Sequence, residues 1–124
     1  MERNWDLIRE ILRILAEKSP DDYGKSLGYD YFVQELSDYH ENIVKYHLKM
    51  MIETEFINGR NVSTIAGENY LIKEMTYQGQ DLWEAIKEKS FWEKITQYAT
   101  KNKIPLTLDT IKMIIPMLLK TMFS

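Results

Sequence analysis

Cysteine is missing from all 124 residues. Disulfide cross-links and cysteine-ligated zinc are thereby excluded, and the absence agrees with a reducing cytoplasm, where we expect the protein to reside. Long hydrophobic runs are missing as well. The longest uncharged apolar stretch covers residues 113–119 between Lys112 and Lys120, whereas a membrane helix needs about 20 residues. No membrane partner is expected. The charged start Met1-Glu2-Arg3-Asn4-Trp5-Asp6 lacks the apolar run and small-residue cleavage site of a secretory signal. A basic surplus is missing too, since net charge is −3. Residues 1–55 hold seven Lys/Arg against twelve Asp/Glu, and residues 56–124 nine against seven. A duplex-binding domain draws affinity from neutralising phosphates, so the electrostatic signature of DNA binding is weak. Nor is there an internal repeat, a low-complexity segment, a phosphate-binding glycine loop or a nucleophile set beside a base.

What is present is the composition of an ordinary globular protein, 44% hydrophobic and 28% charged, at a length that supports one core. The periodicity of Trp5, Ile8, Leu12 and Leu15, widened by Leu7, Ile11 and Ile14, predicts a helix over residues 5–18. Asn4 caps it, Asp6 sits in its first turn, and Arg9, Glu10, Arg13 and Glu17 take the water side. Ser19-Pro20-Asp21-Asp22 ends it. The aromatic and β-branched run Tyr29, Tyr31, Phe32, Val33 predicts a short strand near residues 30–35. Ser37 or Asp38 can cap the next helix, with Glu41 completing a capping box on Asp38, and that helix runs to about Glu55.

A hairpin is then expected between residues 56 and 76. Its tip falls either at Gly67-Glu68-Asn69 or at Asn58-Gly59, a pair that alone makes a two-residue turn. Thr76 opens a further helix in which Gly79 permits close backbone approach. Another helix follows through Phe91, Trp92, Ile95, Tyr98 and Ala99. Thr107 caps a last helix whose core face is Ile111, Ile115, Leu118 and Met122, with Pro116 predicting a kink or a break. The reading is α+β: a winged helix-turn-helix over residues 1–90 and a helical C-terminal extension over residues 91–124, packed as a single compact unit.

The helix and wing supply candidate DNA contacts, Tyr39, Lys45 and Lys49 on the helix and Arg60, Asn61 and Asn69 on the wing, through phosphate neutralisation and a minor-groove approach. Against them stand Asp38 and Glu41 at the helix start and a helix without arginine. His40 and His47, seven residues apart, lie about 10.5 Å apart along a helix axis, too far to share one metal; no metal and no cofactor are expected. For His47 the choice is between a half-buried, hydrogen-bonded histidine and a partner contact. Asp21-Asp22 and the Glu53/Glu55 pair read as solvated charges rather than acid and base, so no enzyme activity is expected. The last helix is apolar on nearly every side, which leaves Ile114, Met117 and Phe123 as candidates for self-association in a homodimer.

The segments Asn4-Trp5-Asp6-Leu7-Ile8-Arg9-Glu10-Ile11-Leu12, Val44-Lys45-Tyr46-His47-Leu48, Phe56-Ile57-Asn58-Gly59 and Met75-Thr76-Tyr77-Gln78-Gly79-Gln80-Asp81-Leu82 together resemble a family of short phage and prophage proteins related to the YjcQ-like winged-helix proteins. The resemblance runs from residue 4 to about residue 95. It implies a winged-helix fold and a phage-type origin, and no catalytic residues. Glu55-Phe56-Ile57 departs from the Gly-Leu-Ile ending usual in that pattern, which bears on the helix C-cap. The expected partners are double-stranded DNA or, alternatively, a host protein bound without DNA.

Overall fold

The computed structural model describes residues 2–122. Six helices and a small three-stranded antiparallel sheet make it α+β. It divides into two compact units, residues 1–83 and 84–124.

In the first unit, α1 (Trp5–Ala16) is capped by the Asn4 side chain, which accepts from the Leu7 amide at 3.1 Å. Its stripe is wide enough to bury Trp5, Leu7, Ile8, Ile11, Leu12, Ile14 and Leu15. Arg9 does not take the water side: it is buried, with its guanidinium 5.7 Å from the centre of the Trp83 ring, a cation–π placement that a helical wheel does not reveal. Arg13 stays at the surface between Glu10 and Glu17.

The strand expected near residues 30–35 is instead helix α2 (Tyr29–Glu35). Only Leu27–Gly28 form strand β1. Phe32 and Leu36, one helical turn apart, are both buried, and burying that pair overrides the strand propensity of the aromatic and β-branched run.

Helix α3 (Glu41–Glu53) starts later than expected, capped neither by Ser37 nor by Asp38 but by His40, whose Nδ1 accepts from the Asn42 amide at 3.0 Å. Val44, His47, Leu48 and Met51 form its buried face. It ends in a Schellman motif: the Phe56 amide donates to Met51 O at 2.9 Å and the Glu55 amide to Ile52 O at 3.1 Å. Glu55 therefore occupies the left-handed position, with φ 63°, where glycine is usual. Glutamate in that position leaves the cap geometry intact.

The expected hairpin is present as β2 (Ile57–Asn61) and β3 (Tyr70–Met75), with β3 between β1 and β2. Its tip lies at neither expected position. Thr64 and Gly67 bridge around Ile65 and Ala66. Asn58-Gly59 is taken up by a register break in which Asn58 faces Glu74 and Gly59 faces Ile72, leaving Lys73 as the extra residue of a bulge. A Cβ on Gly59 would lie 2.9 Å from Ile72 Cδ1 and 3.0 Å from Ile52 Cδ1. Ile57, Tyr70 and Ile72 point to the core, while Asn58, Arg60 and Lys73 are exposed on the other side of the sheet.

Helix α4 (Tyr77–Ile86) opens at Thr76, as expected. The Thr76 hydroxyl accepts from the Gly79 amide at 3.0 Å and donates to the Glu55 carbonyl, while the Thr76 amide donates to Phe56 O at 3.1 Å. A Cβ on Gly79 would sit 1.9 Å from that Phe56 oxygen, so this position requires glycine for the close approach foreseen from the sequence.

In the second unit, α5 (Lys89–Lys101) packs with α6 (Leu108–Met122). A second Schellman motif ends α5, with Lys103 at φ 53° and the Ile104 amide donating to Ala99 O at 2.8 Å. Thr107 caps α6 through the Thr110 amide at 3.1 Å. The helix continues through Pro116 without a break. Its buried side is Ile111 and Ile114, with Ile115 and Leu118 only half-buried.

Candidate interaction face

The outward side of α3 carries Glu41, Asn42, Tyr46, Lys49 and Glu53, all exposed. Lys45 is not free there. Its Nζ lies 3.3 Å from the Glu41 carboxylate and 4.6 Å from the centre of the Tyr29 ring. Burial opposes its charge, yet the hydrogen bond to Glu41 and the fields of Tyr29, Glu41 and Glu68 outweigh this and raise its pKa above the ordinary lysine value. A lysine so engaged must lose an internal partner before it can neutralise a phosphate.

Tyr39 precedes the helix and is half-buried. Burial pushes its phenol up, and Asp6, Glu10 and Asp38 push the same way. Three carboxylates around it make an acidic setting, the reverse of a phosphate site. Lys49 is exposed as expected, and Arg60 is exposed on the outer side of the sheet.

On the hairpin, the Asn61 side chain accepts from the Ser63 amide at 2.9 Å and holds the turn. The Ser63 hydroxyl in turn accepts from the Asn69 amide at 2.9 Å and donates to Asn69 O at 3.3 Å. Asn61 thus serves the loop itself, whereas the Asn69 side-chain oxygen is buried without a hydrogen-bond partner. Tyr70 is buried beside the loop and donates to Glu68. Burial, followed by that carboxylate, pushes its phenol up to about 12.

Residues 61–69 contain one charge, Glu68, and no Lys or Arg. Ile65 at the tip is 109% exposed. Ile65 is neither a cation nor an amide, so the chemistry of a phosphate contact does not select it.

His47 lies at 0% exposure, so it faces no partner. Its Nδ1 donates to Ile43 O at 2.8 Å and its Nε2 accepts from the Asn4 amide at 2.8 Å. Both nitrogens are thereby used, which defines the Nδ1-protonated neutral ring. Burial depresses its pKa, the Ile43 bond opposes this, and the Arg3 charge adds to the depression. The residue ties the start of α1 to the middle of α3.

In the second unit, Ile114 is fully buried and is withdrawn from any self-association face. It packs inward because burying one more turn of α6 outweighs exposing it. Met117 is 44% exposed, with Met113 and Leu119 similarly open, and its sulfur lies 3.9 Å from the Tyr98 hydroxyl. Phe123 lies outside the described residues. Among the described residues, no group of three or more His, Cys, Asp or Glu side chains could hold a metal, and no helix is long and apolar enough to cross a membrane.

A protein of Haemophilus influenzae described as an uncharacterized protein is 27% identical over all 124 residues, which is 100% of each chain. No solved structure matches the chain. A family model described as hypothetical protein DUF2513 matches residues 2–105. The chain belongs to that family.

Proposed function

We propose that the first unit is a winged-helix module of phage type that binds a protein partner through the outward side of α3 and the hairpin tip. The element order, α1-β1-α2-α3-β2-β3 with β3 central, supports the winged-helix reading, with α3 as recognition helix and residues 61–70 as wing. The phage-type origin rests on the sequence resemblance. The choice of partner is carried by the chemistry of the tip, an exposed Ile65 flanked by no cation. An apolar tip on the hairpin and an exposed Tyr46 on α3 suit a protein surface, where aromatic and aliphatic anchors supply binding energy. The unit containing them holds nine Lys/Arg against fifteen Asp/Glu, a net of −6, which repels a phosphate backbone.

DNA binding is the second reading. It is favoured by the same element order together with the exposed cations Lys49 and Arg60. An anisotropy titration of a mixed-sequence duplex at low salt separates the two. The full chain is expected to give no saturable signal, while photocrosslinkers placed at positions 46 and 65 should trap a discrete protein in host cells. Saturable duplex binding that weakens steeply with salt, and with Lys49→Ala, would replace the protein-partner reading with the DNA one.

We also propose self-association through the exposed methionine side of α6. Met113 and Met117 stand one helical turn apart there, and methionine-rich surfaces repack readily against a partner.

A further inference from the structure

Across the sheet from α3 lies a hollow of about 370 Å³, within the size range of small-ligand sites. Gly24 and Ser26 from the loop before β1, Asn58 and Arg60 from β2, and Leu71 and Lys73 from β3 line it. None of these lining residues is acidic, in a unit whose net charge is −6. The register accounts for the convergence of cations. Arg60 pairs with Leu71, so the two side chains leave the same side of the sheet. Lys73 is the extra residue of the bulge, the device by which a strand re-aims a side chain.

A further ammonium is held beside the hollow. Lys18 Nζ donates to Lys73 O at 3.1 Å and also to Lys25 O, joining the end of α1 to both margins. Lys25, at the rim, is paired with Asp22 at 3.4 Å. Glu74, the ladder partner of Asn58, leaves the same side of the sheet and is exposed there, but it does not line the hollow.

We propose that this hollow binds a small phosphate-bearing anion, with Arg60 and Lys73 as the charged clamp and Ser26 and Asn58 as hydrogen-bond donors. A guanidinium meets phosphate oxygens through two parallel N–H bonds, and an ammonium adds a point charge. Leu71 offers an apolar floor for an organic group attached to the phosphate. The site lies on the opposite side of the sheet from α3, so it stands independently of the partner assigned to that helix.

Amide spectra of the labelled full chain, titrated with inorganic phosphate, AMP and adenosine, test this. Saturable shifts are expected at Ser26, Asn58, Arg60 and Lys73 with phosphate and with AMP, but not with adenosine. Tighter binding of AMP than of phosphate identifies a nucleotide-type ligand, and equal binding identifies the free anion. Both support the site. Arg60→Ala and Lys73→Ala should each raise the dissociation constant about tenfold, Arg60→Lys less, and Lys94→Ala on α5 not at all. The spectra themselves report whether each variant is folded. Shifts that do not saturate, that spread equally over the lysines of α5 and α6, or that survive Arg60→Ala in a folded chain would overturn the proposal.

Discussion

His47 shows how one buried polar residue can be committed to structure. Its ring bridges Ile43 O and the Asn4 amide, each at 2.8 Å, and the surroundings leave no space for a proton on Nε2 without losing the second bond. Its native pKa lies below the ordinary 6.5. The unfolded chain therefore takes up the proton first as pH falls, and linkage sets the sign. The histidine's contribution is fully present above about pH 6.5 and is lost as pH falls from there through the depressed native value. Denaturant unfolding at stepped pH should show the decline beginning near 6.5, with a slope of at most about 1.4 kcal/mol per pH unit from this group. His47→Gln should remove that component while lowering stability at neutral pH by about 1–3 kcal/mol. An unchanged pH profile in the variant would assign the decline elsewhere. From sequence, His47 could be narrowed to two roles, and burial chose between them. The buried position of Arg9 is not legible in the sequence, because its partner, Trp83, is distant in the chain and no periodicity points to it.

At the scale of elements, the Schellman endings of α3 and α5 each place a non-glycine residue in the left-handed position. Glu55 ends α3 and Lys103 ends α5. A side chain there costs about 1–2 kcal/mol relative to the right-handed region, and glycine removes the penalty at some cost in unfolded-state entropy. Glu55→Gly should accordingly stabilise the chain by about 1 kcal/mol, read as an upward shift of the unfolding midpoint with unchanged denaturant slope. A destabilised variant would mean that the Glu55 side chain makes a contribution larger than the strain. The same segment explains the missed hairpin tip. Asn58-Gly59 has turn chemistry, yet the packing of Gly59 against Ile52 and Ile72 draws it into the sheet and moves the turn to Thr64–Gly67. The missed α2 has the same cause, since long-range burial of Phe32 and Leu36 decided a segment whose local preference points to strand.

For the whole molecule, the two units differ in charge: residues 1–83 carry −6, and residues 84–124 carry seven Lys against four Asp/Glu, or +3. The exposed methionine side of α6 lies in the second. Sedimentation at micromolar concentration should show a dimer that Met117→Glu converts to monomer without loss of helix content; a monomeric parent chain would remove the self-association reading. Met117 remains the tested position because Ile114 is buried. Much of the architecture was determined along the chain itself. Asn4, Thr76 and Thr107 mark helix starts, and Gly79 admits a backbone, all through interactions reaching no more than a few residues or through a glycine whose need is steric. The α+β class followed from those markers and from the hairpin between residues 56 and 76. What tertiary structure alone decided depends on pairs far apart in sequence: the strand or helix state of residues 29–35, the interior placement of Arg9, His47 and Ile114, and the bulge that brings Lys73 beside Arg60. Local pattern states which residues prefer to be buried, but the core has room for only some of them, and that competition is settled by packing.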